Sequence, residues 1–284
     1  MIPDDASARM AGPSPRRWRP APVFWFSAGA HAAAAAAVVA RPEWWPWAAA
    51  AVVGNHALLA GAGLWPRSSL LGPNLVRLPQ AAARRREICI TFDDGPDPEV
   101  TPRALDLLDR HGAKASFFCI GERAQAHPDI VGDIVRRGHS VENHSQRHST
   151  AFAWYGPGRL QREIEAAQRA LSGITGSPPR FFRAPFGMRS PLLEPALARC
   201  GLRLASWTRR GYDTVRRDPA RVLARLSDRL GAGDVLLLHD GTYARSAGGV
   251  PVVLEVLPAL LERVEEAGLQ PVTLTAACSD GSGV

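Results

Sequence analysis

Several side chains that can bind a metal ion lie close to the ends of apolar segments in this sequence. His144 and His148 have a spacing that, on a helical turn, puts both imidazoles on one face, where they can share an ion. Asp94 follows the apolar run that ends at Phe92 and could add a carboxylate. A His-His-carboxylate set leaves a coordination position open for water, as catalytic metals require. The pattern indicates a hydrolytic metal site, and a solvated histidine pair on a surface helix is the alternative.

Two further groups could transfer protons beside that site. Asp93 precedes Asp94, and because successive strand residues point in opposite directions, one carboxylate can bind metal while the other faces substrate. The sequence Asp-Asp-Gly-Pro is also ordinary turn chemistry. His239 ends the apolar run 234–239, where it could donate a proton near neutral pH or be a buried structural histidine.

The elements that would position these groups begin at Glu87, where short apolar runs start to alternate with amphipathic stretches. Several runs are apolar on both faces, as parallel strands covered by helices must be, so we predict an α/β barrel or near-barrel of about seven strands. In such barrels catalytic groups collect at the carboxyl ends of the strands. The candidate strands are 87–92, 115–120, 139–142, 180–184, 203–207, 234–239 and 271–275. The candidate helices are 100–111, 122–137, 158–173, 191–200, 218–231 and 251–267.

Two apolar segments precede this region, at 23–40 and from Trp44 to about Trp65. Each is about long enough to cross a bilayer, which predicts a two-helix transmembrane hairpin over residues 23–66. A cleaved signal peptide for the first segment and a soluble Ala-rich hairpin are the alternatives. Arginines flank the two segments and are scarce between them, so the positive-inside rule predicts both ends in the cytoplasm. We expect an inner-membrane protein with its large domain on the cytoplasmic side.

Composition narrows the classes of partner. The chain has 284 residues and a formal net charge of +7, supplied mostly by arginine. Solvated arginines on helix faces account for such an excess, and attraction to anionic lipid headgroups is the alternative. There is no basic stripe interleaved with aromatic residues, so we expect no nucleic-acid partner. The four cysteines lack metal-ligand spacing and a disulfide framework, and Cys89 and Cys119 have the setting of small buried hydrophobic residues.

Four motifs, in order, resemble those of the polysaccharide deacetylase family, also called carbohydrate esterase family four or the NodB homology domain. They are T-F-D-D-G-P at 91–96, H-S-x-x-H at 144–148, R-A-P-F-G at 183–187 and L-L-L-H-D at 236–240. The resemblance covers about 86–276 and implies a distorted (β/α) barrel that binds one divalent metal, commonly Zn²⁺. The expected domains are a disordered basic N-terminus (1–22), the hairpin (23–66), a basic linker (67–85), the deacetylase domain (86–276) and a flexible tail (277–284).

The resemblance also implies a role for each matching residue. Asp94, His144 and His148 would be the metal ligands, Asp93 the general base and His239 the general acid. Arg183 would neighbour Asp93 and keep it ionised, and Asp213 would orient His239. The Phe186 N–H would help hold the oxyanion, and the remaining residues expected to contact substrate or oxyanion are Pro185, Leu237 and Trp207.

A fourth family motif, often W-x-x-D-x-x-D-W, departs from its pattern here. Residues 207–214 read W-T-R-R-G-Y-D-T, so Arg210 stands where an aspartate is common and Thr214 replaces a tryptophan that stacks on substrate. Chitin or peptidoglycan specificity is therefore not carried over. An arginine at the rim would suit an acidic or phosphate-bearing substrate.

The leading hypothesis is a metal-dependent hydrolase that removes an N-acyl group, acetyl or formyl, from an amino sugar in a polysaccharide or a lipid-linked glycan. An O-acetyl carbohydrate esterase would share the same site chemistry. A membrane-anchored carbohydrate-binding protein without catalysis is the alternative from another class, and the intact set of acid, base and ligands argues against it.

Overall fold

The computed structural model describes residues 14–279, and it begins with two antiparallel apolar helices. Helix α1 (Pro22–Ala40) and helix α2 (Trp45–Leu64) are joined by a 3₁₀ turn at Pro42–Trp44. Both helices are long and apolar enough to cross a membrane, with mean hydropathies of 1.6 and 1.3 over their best windows. Little of their surface is covered by protein, and Asn55 donates to Ser27 between them at 2.8 Å.

Every strand pair in the sheet that follows is parallel, as the two-sided apolar runs predict. The spatial order is β5-β4-β3-β2-β1-β7-β6, with β8 paired to β1, so the sheet is a curled, open barrel. The predicted fold class is confirmed. The strands are β1 (Glu87–Asp93), β2 (Ala115–Cys119), β3 (Ser140–Asn143), β4 (Phe181–Phe182), β5 (Arg203–Leu204), β6 (Arg209–Arg210), β7 (Val235–His239) and β8 (Gln270–Pro271).

Helices connect the strands and cover the outer face of the sheet. They are α3 (Gln80–Arg84), α4 (Thr101–Arg110), α5 (Gly121–Ala126), α6 (Pro128–Arg136), α7 (Pro157–Thr175), α8 (Leu193–Arg199), α9 (Pro219–Ser227), α10 (Val252–Glu266) and α11 (Leu274–Ala277). The alternating faces of each strand separate two cores. On β1, Ile88, Ile90 and Phe92 pack outward under helices, while Cys89 packs inside the barrel.

Two sequence-based assignments of elements are wrong. The predicted helix 122–137 is two helices, α5 and α6, because Pro128 has no N–H to donate and starts a new helix instead. The predicted strand 271–275 is a two-residue strand followed by a helical turn that Thr273 caps through its side chain. The prediction also missed β6, which is too short to produce a periodic signal.

The segment predicted as a basic linker packs against the barrel. Leu71, Leu78 and Ala82 are buried, and Leu75 pairs with Ala205 beside β5. The hairpin is fixed to the same face, since the Arg189 N–H donates to the Gly63 carbonyl at 3.1 Å. The N-terminal residues 1–13, predicted to be disordered, and 280–284 of the predicted tail lie outside the described residues.

Candidate active site

Strand register brings the two proton-transfer candidates together. Asp93 at the end of β1 and His239 at the end of β7 are direct partners across the parallel pair. The two-residue period of a strand puts Asp93 on the same face as Cys89, and His239 on the same face as Val235. Both of those core residues lie inside the barrel, so Asp93 and His239 point into its mouth.

Three potential metal ligands converge beside Asp93. The Asp94 Oδ1 atom lies 3.2 Å from His144 Nε2 and 3.1 Å from His148 Nε2, and one ligand atom from each residue lies within 4.8 Å of the other two. The expected helical turn between the histidines is absent, because residues 144–148 are irregular, with a bend at 146–147. Left-handed backbone conformations at Ser145 (φ 65°) and His148 (φ 50°) turn both imidazoles toward Asp94 instead.

The two aspartates face the same pocket, which the alternation of a strand would not allow. Asp94 lies just past the end of β1 and has a φ of 72°, so its carboxylate swings back beside that of Asp93. A left-handed aspartate is uncommon and costs free energy that the surrounding structure must supply. The carbonyl of Asp94 accepts a hydrogen bond from Arg123 at 2.8 Å, which holds the turn.

The orientation of the His144 ring follows from its hydrogen bond. Its Nδ1 lies 2.9 Å from the Arg183 carbonyl oxygen, which can only accept, so Nδ1 donates to it and Nε2 is directed toward Asp94. Divalent metals are commonly bound by one carboxylate and two histidines, with the second ring nitrogen of a histidine held by a hydrogen bond. Asp94, His144 and His148 match this arrangement, so these residues fit a metal ion.

Electrostatics around the ligands agree with cation binding. Burial raises the pKa of Asp94, but hydrogen bonding and charge from His144 and His148 outweigh it and hold the pKa well below the usual range. Burial, together with the neighbouring His144, lowers the pKa of His148 to about 4. The carboxylate and the neutral imidazole that a metal needs are therefore the forms present at neutral pH.

Arg183 is almost fully buried and connects Asp93 to the barrel wall. It donates to Asp93 Oδ1 at 2.6 Å and to the Thr91 hydroxyl at 2.8 Å. Its guanidinium also donates to the Ala205 and Ser206 carbonyls and lies 4.0 Å from the centre of the Phe118 ring. The guanidinium of Arg183 thus contacts a carboxylate, a hydroxyl, two carbonyl oxygens and an aromatic face. These contacts hold the Arg183 side chain in place, and the ion pair holds Asp93 with it.

Asp213 holds His239 by two hydrogen bonds. Its carboxylate accepts from the His239 Nδ1 at 2.9 Å and from the His239 backbone N–H at 2.7 Å, and it is fully buried. Burial alone lowers the pKa of His239, but the Asp213 charge and hydrogen bond outweigh that effect and raise the pKa above its ordinary value. The raised pKa shifts the ring toward its protonated form, and Asp213 leaves its Nε2 unengaged.

These groups line a cavity of about 590 Å³. Leu237 and Trp207 form part of its wall, and Phe186 covers His148 with ring centres 4.7 Å apart while about half exposed. Phe186 belongs to a 3₁₀ turn, Pro185–Gly187, in which it has a φ of 58°. Pro185, the first residue of this turn, is buried. The structure thus brings together the predicted residues that line this cavity, namely Asp93, Asp94, His144, His148, Phe186, Trp207, Leu237 and His239.

Three supporting residues were missed from the sequence. Arg123 on α5 donates to the carbonyls of Asp94 and Gly241, which joins the turns after β1 and β7. Thr91 links Arg183 to the Leu236 carbonyl. Asp240 accepts from the Thr101 hydroxyl at 2.6 Å, and burial raises its pKa to about 7. Thr91 and Asp240 were part of quoted motifs, whereas Arg123 had no signal, because its role depends on contacts distant in the sequence.

Comparison with known proteins identifies the family. The sequence model for polysaccharide deacetylase matches residues 80–205. A chitooligosaccharide deacetylase from Bradyrhizobium sp. (strain ANU 289) is 33% identical over 55% of this chain and 71% of its own length. The chain belongs to the polysaccharide deacetylase family. As a member of this family, the chain is a hydrolase that acts on carbon–nitrogen bonds other than peptide bonds.

Two further members support the assignment of the deacetylase domain. A peptidoglycan-N-acetylglucosamine deacetylase from Bacillus cereus is 33% identical over 61% of this chain and 81% of its own length. The solved structure of a peptidoglycan N-acetylglucosamine deacetylase superposes with a TM-score of 0.65 at 26% identity, covering 72% of this chain and 92% of that one. Within this polysaccharide deacetylase, Arg210 and Thr214 line the active-site cavity, as the altered fourth motif suggests.

Proposed function

We propose that this polysaccharide deacetylase removes an N-acyl group, acetyl or formyl, from an amino sugar with the help of one divalent metal ion. The observation that carries the proposal is the position of Asp93 and His239 on paired strands beside the Asp94, His144 and His148 cluster. A general base, a general acid and a metal site together supply what metal-assisted hydrolysis of an amide uses.

Asp94, His144 and His148 would hold the ion, and Zn²⁺ suits a set of two imidazoles and one carboxylate. A bound ion would supply Lewis-acid polarisation of the acyl carbonyl and would lower the pKa of the attacking water. The hydrogen bond from His144 Nδ1 to the Arg183 carbonyl fixes the ring with its Nε2 toward that position.

The protein's own groups account for the proton transfers. Asp93, fixed by Arg183, accepts a proton from the attacking water while the water oxygen forms a bond to the acyl carbon. The Phe186 N–H lies in the first turn of a 3₁₀ helix, where no intrahelical acceptor is available, so it can donate to the oxyanion. His239, held by Asp213, gives its proton to the amine nitrogen as the C–N bond breaks. A carboxylic acid and the free amino sugar are released.

Two observations bear on the substrate. The relatives are named for chitooligosaccharide and peptidoglycan N-acetylglucosamine, which supports an N-acylated amino sugar here. Arg210 and Thr214 line the cavity in place of the aspartate and tryptophan common in the family, which favours a different glycan. A lipid-linked amino sugar fits both the altered wall and the apolar hairpin.

The hairpin supports a membrane-anchored enzyme. Both helices leave large apolar side chains uncovered, and Trp25 and Trp65 near one end are each about two-thirds exposed. Such residues are stable in lipid and at its interface. We propose that the hairpin (23–66) lies in the inner membrane with the deacetylase domain (86–276) on its cytoplasmic side. Arginines precede the first helix and follow the second but are scarce in the connector between them, and the positive-inside rule puts such ends in the cytoplasm.

Acetate or formate release from free and lipid-linked N-acyl amino sugars, measured with metal content, tests this function. We expect about one metal ion per chain and release that a chelator abolishes and Zn²⁺ restores. A His148→Ala variant should lose both metal and turnover, whereas His127→Ala, at the junction of α5 and α6, should lose neither. Preferential hydrolysis of O-acetylated sugars would make the protein an esterase, and sugar binding without acid release would make it a non-catalytic binding protein.

A further inference from the structure

A second groove adjoins the active-site cavity on the side of the hairpin. Its volume is about 1180 Å³, and it shares Trp207 and Arg210 with the active-site cavity. It begins at Trp65 and Arg67, the residues where helix α2 ends. The groove therefore connects the end of the apolar hairpin to the site of chemistry.

Positive charge dominates this groove. Its lining includes six arginines and a single carboxylate, that of Asp228. Arg209 is neutralised by Asp234 at 2.7 Å. Across residues 14–279, none of the other lining arginines has a carboxylate within ion-pair distance, and these are Arg67, Arg210, Arg225, Arg229 and Arg263.

Two arginines of the groove, and a third outside its lining, surround one aromatic ring. The guanidinium carbons of Arg210 and Arg225 each lie 4.9 Å from the centre of the Tyr212 ring, and that of Arg216 lies 5.9 Å away. Arg210 also lies 5.5 Å from the Trp207 ring, and its buried Nε has no hydrogen-bond partner among the described residues. Like charges held together with an unused donor are unfavourable until an anion binds.

We propose that this groove binds the phosphate or diphosphate that joins the substrate's amino sugar to a lipid. This inference rests on the proposed deacylase function. Guanidinium groups match phosphate oxygens with paired donors, and an Arg-rich groove selects such anions over neutral glycans. The lipid chain would lie at the hairpin end of the groove, beside Trp65, and the N-acyl sugar would extend past Arg210 into the catalytic cavity. The order of these surfaces matches the order of lipid, phosphate and sugar in such a molecule.

The test compares two substrates that carry the same reacting group, with the full-length metal-loaded enzyme in neutral detergent. One is uncharged chitotetraose, and the other is N-acetylglucosamine linked through a diphosphate to a geranyl chain. The measured quantity is the ratio of kcat/KM for the diphosphate substrate to kcat/KM for chitotetraose. We expect Arg225→Gln to lower that ratio about tenfold, the loss of one charge-assisted hydrogen bond. Arg225→Lys should restore most of it, since a lysine still pairs with phosphate as a point charge.

Arg221→Gln is the matched control, because Arg221 lies one turn earlier on α9, is exposed, and pairs with Asp218 outside the groove. It removes the same charge and should leave the ratio unchanged. Arg263→Gln on α10 is a second groove variant that should also lower the ratio. It replaces Arg225→Gln in the test if that variant does not fold.

The outcomes separate this inference from the proposed function. If the unaltered enzyme releases neither acetate from these substrates nor formate from their N-formyl analogues, the deacylase function fails. If it deacetylates chitotetraose and the groove variants leave the ratio unchanged, only the phosphate site is overturned. If phosphatidylglycerol in mixed micelles competes as well as geranyl diphosphate does, the groove binds bulk lipid headgroups and the substrate assignment is overturned.

Discussion

At the scale of single residues, the site depends on a small number of buried charged groups, each with a specific partner. Asp93 is held by Arg183 and His239 by Asp213, at 2.6 Å and 2.9 Å respectively. Each partner is itself at most 1% exposed, so water does not weaken the pair. Positioning and charge are thus supplied by the same contacts.

Replacing Asp93 tests the assigned base. Asp93→Asn keeps the size of the side chain but cannot accept the proton, so turnover should fall by about 10² to 10⁴. Metal content should be retained, because the proposed ligands are other residues. Acetate release and metal analysis on the same sample measure both. Asp129→Asn, exposed on α6, is the control, and an Asp93→Asn enzyme with full activity would remove the base from the mechanism.

Replacing Asp213 tests the assigned acid through pH. His239 donates a proton only while protonated, and Asp213 raises its pKa, so activity should decline as pH rises through that raised value. Asp213→Asn should move this alkaline limb of the kcat/KM profile to lower pH. His239 should also stabilise the fold fully below its ordinary pKa and lose that contribution as pH rises through the raised pKa. An unchanged alkaline limb would assign the proton to another group.

At this scale the sequence indicated which residues could form the site but not their backbone conformations. The identities and order of Asp94, His144 and His148 are sufficient to suggest a metal site. The left-handed backbone at Asp94 and His148 was not predictable, because it is imposed by contacts such as Arg123 with the Asp94 carbonyl, 29 residues away.

At the scale of elements, the turns after β1 and β7 must pack closely for the acid and base to meet. Gly241 lies where they touch, and a Cβ there would overlap the Asp94 carbonyl and the Arg123 guanidinium. Strand register aligns Asp93 with His239. The turns that follow the two strands can approach each other closely only because Gly241 has no side chain.

Gly241→Ala should therefore push the turns apart. We expect a loss of about 1–3 kcal/mol in the free energy of unfolding from overpacking, together with a large loss of turnover, since a small displacement of Asp94 disrupts the ligand set. Chemical denaturation and acetate release measure the two effects. Gly248→Ala, whose Cβ would meet only the Ser246 hydroxyl at an ordinary contact distance, is the control. Equal behaviour of the two variants would contradict the role of this contact.

At the scale of the whole molecule, the hairpin and the active site are joined by direct contacts. The Pro66 carbonyl accepts from the Ser206 hydroxyl at 2.6 Å, and Gly187 packs against the Pro66 ring beside Trp207. The turn that carries Phe186 therefore rests on the first residues after helix α2. Anchoring the hairpin would fix the mouth of the active site relative to the membrane surface.

Reporter fusions test the proposed orientation. A phosphatase that needs disulfide bonds should be inactive when fused after the C-terminus, because the cytoplasm keeps thiols reduced. The same reporter inserted between Arg41 and Pro42, in the connector, should be active on the opposite side of the membrane. The reverse pattern would place catalysis outside the cytoplasm and favour a secreted polysaccharide as substrate.

The sequence by itself determined the class of fold, the family and the candidate catalytic groups, because these depend on local periodicity and on motifs a few residues long. Only the tertiary structure decided how distant parts of the chain meet. It determined the Asp93–His239 pairing, the split of α5 from α6, the arginine groove and the docking of the hairpin. Arg67, Arg210, Arg225 and Arg263 are scattered over almost 200 positions and have no common pattern in the sequence. Parallel strands and the helices between them bring such distant residues onto one surface, and a one-dimensional pattern does not contain that pairing.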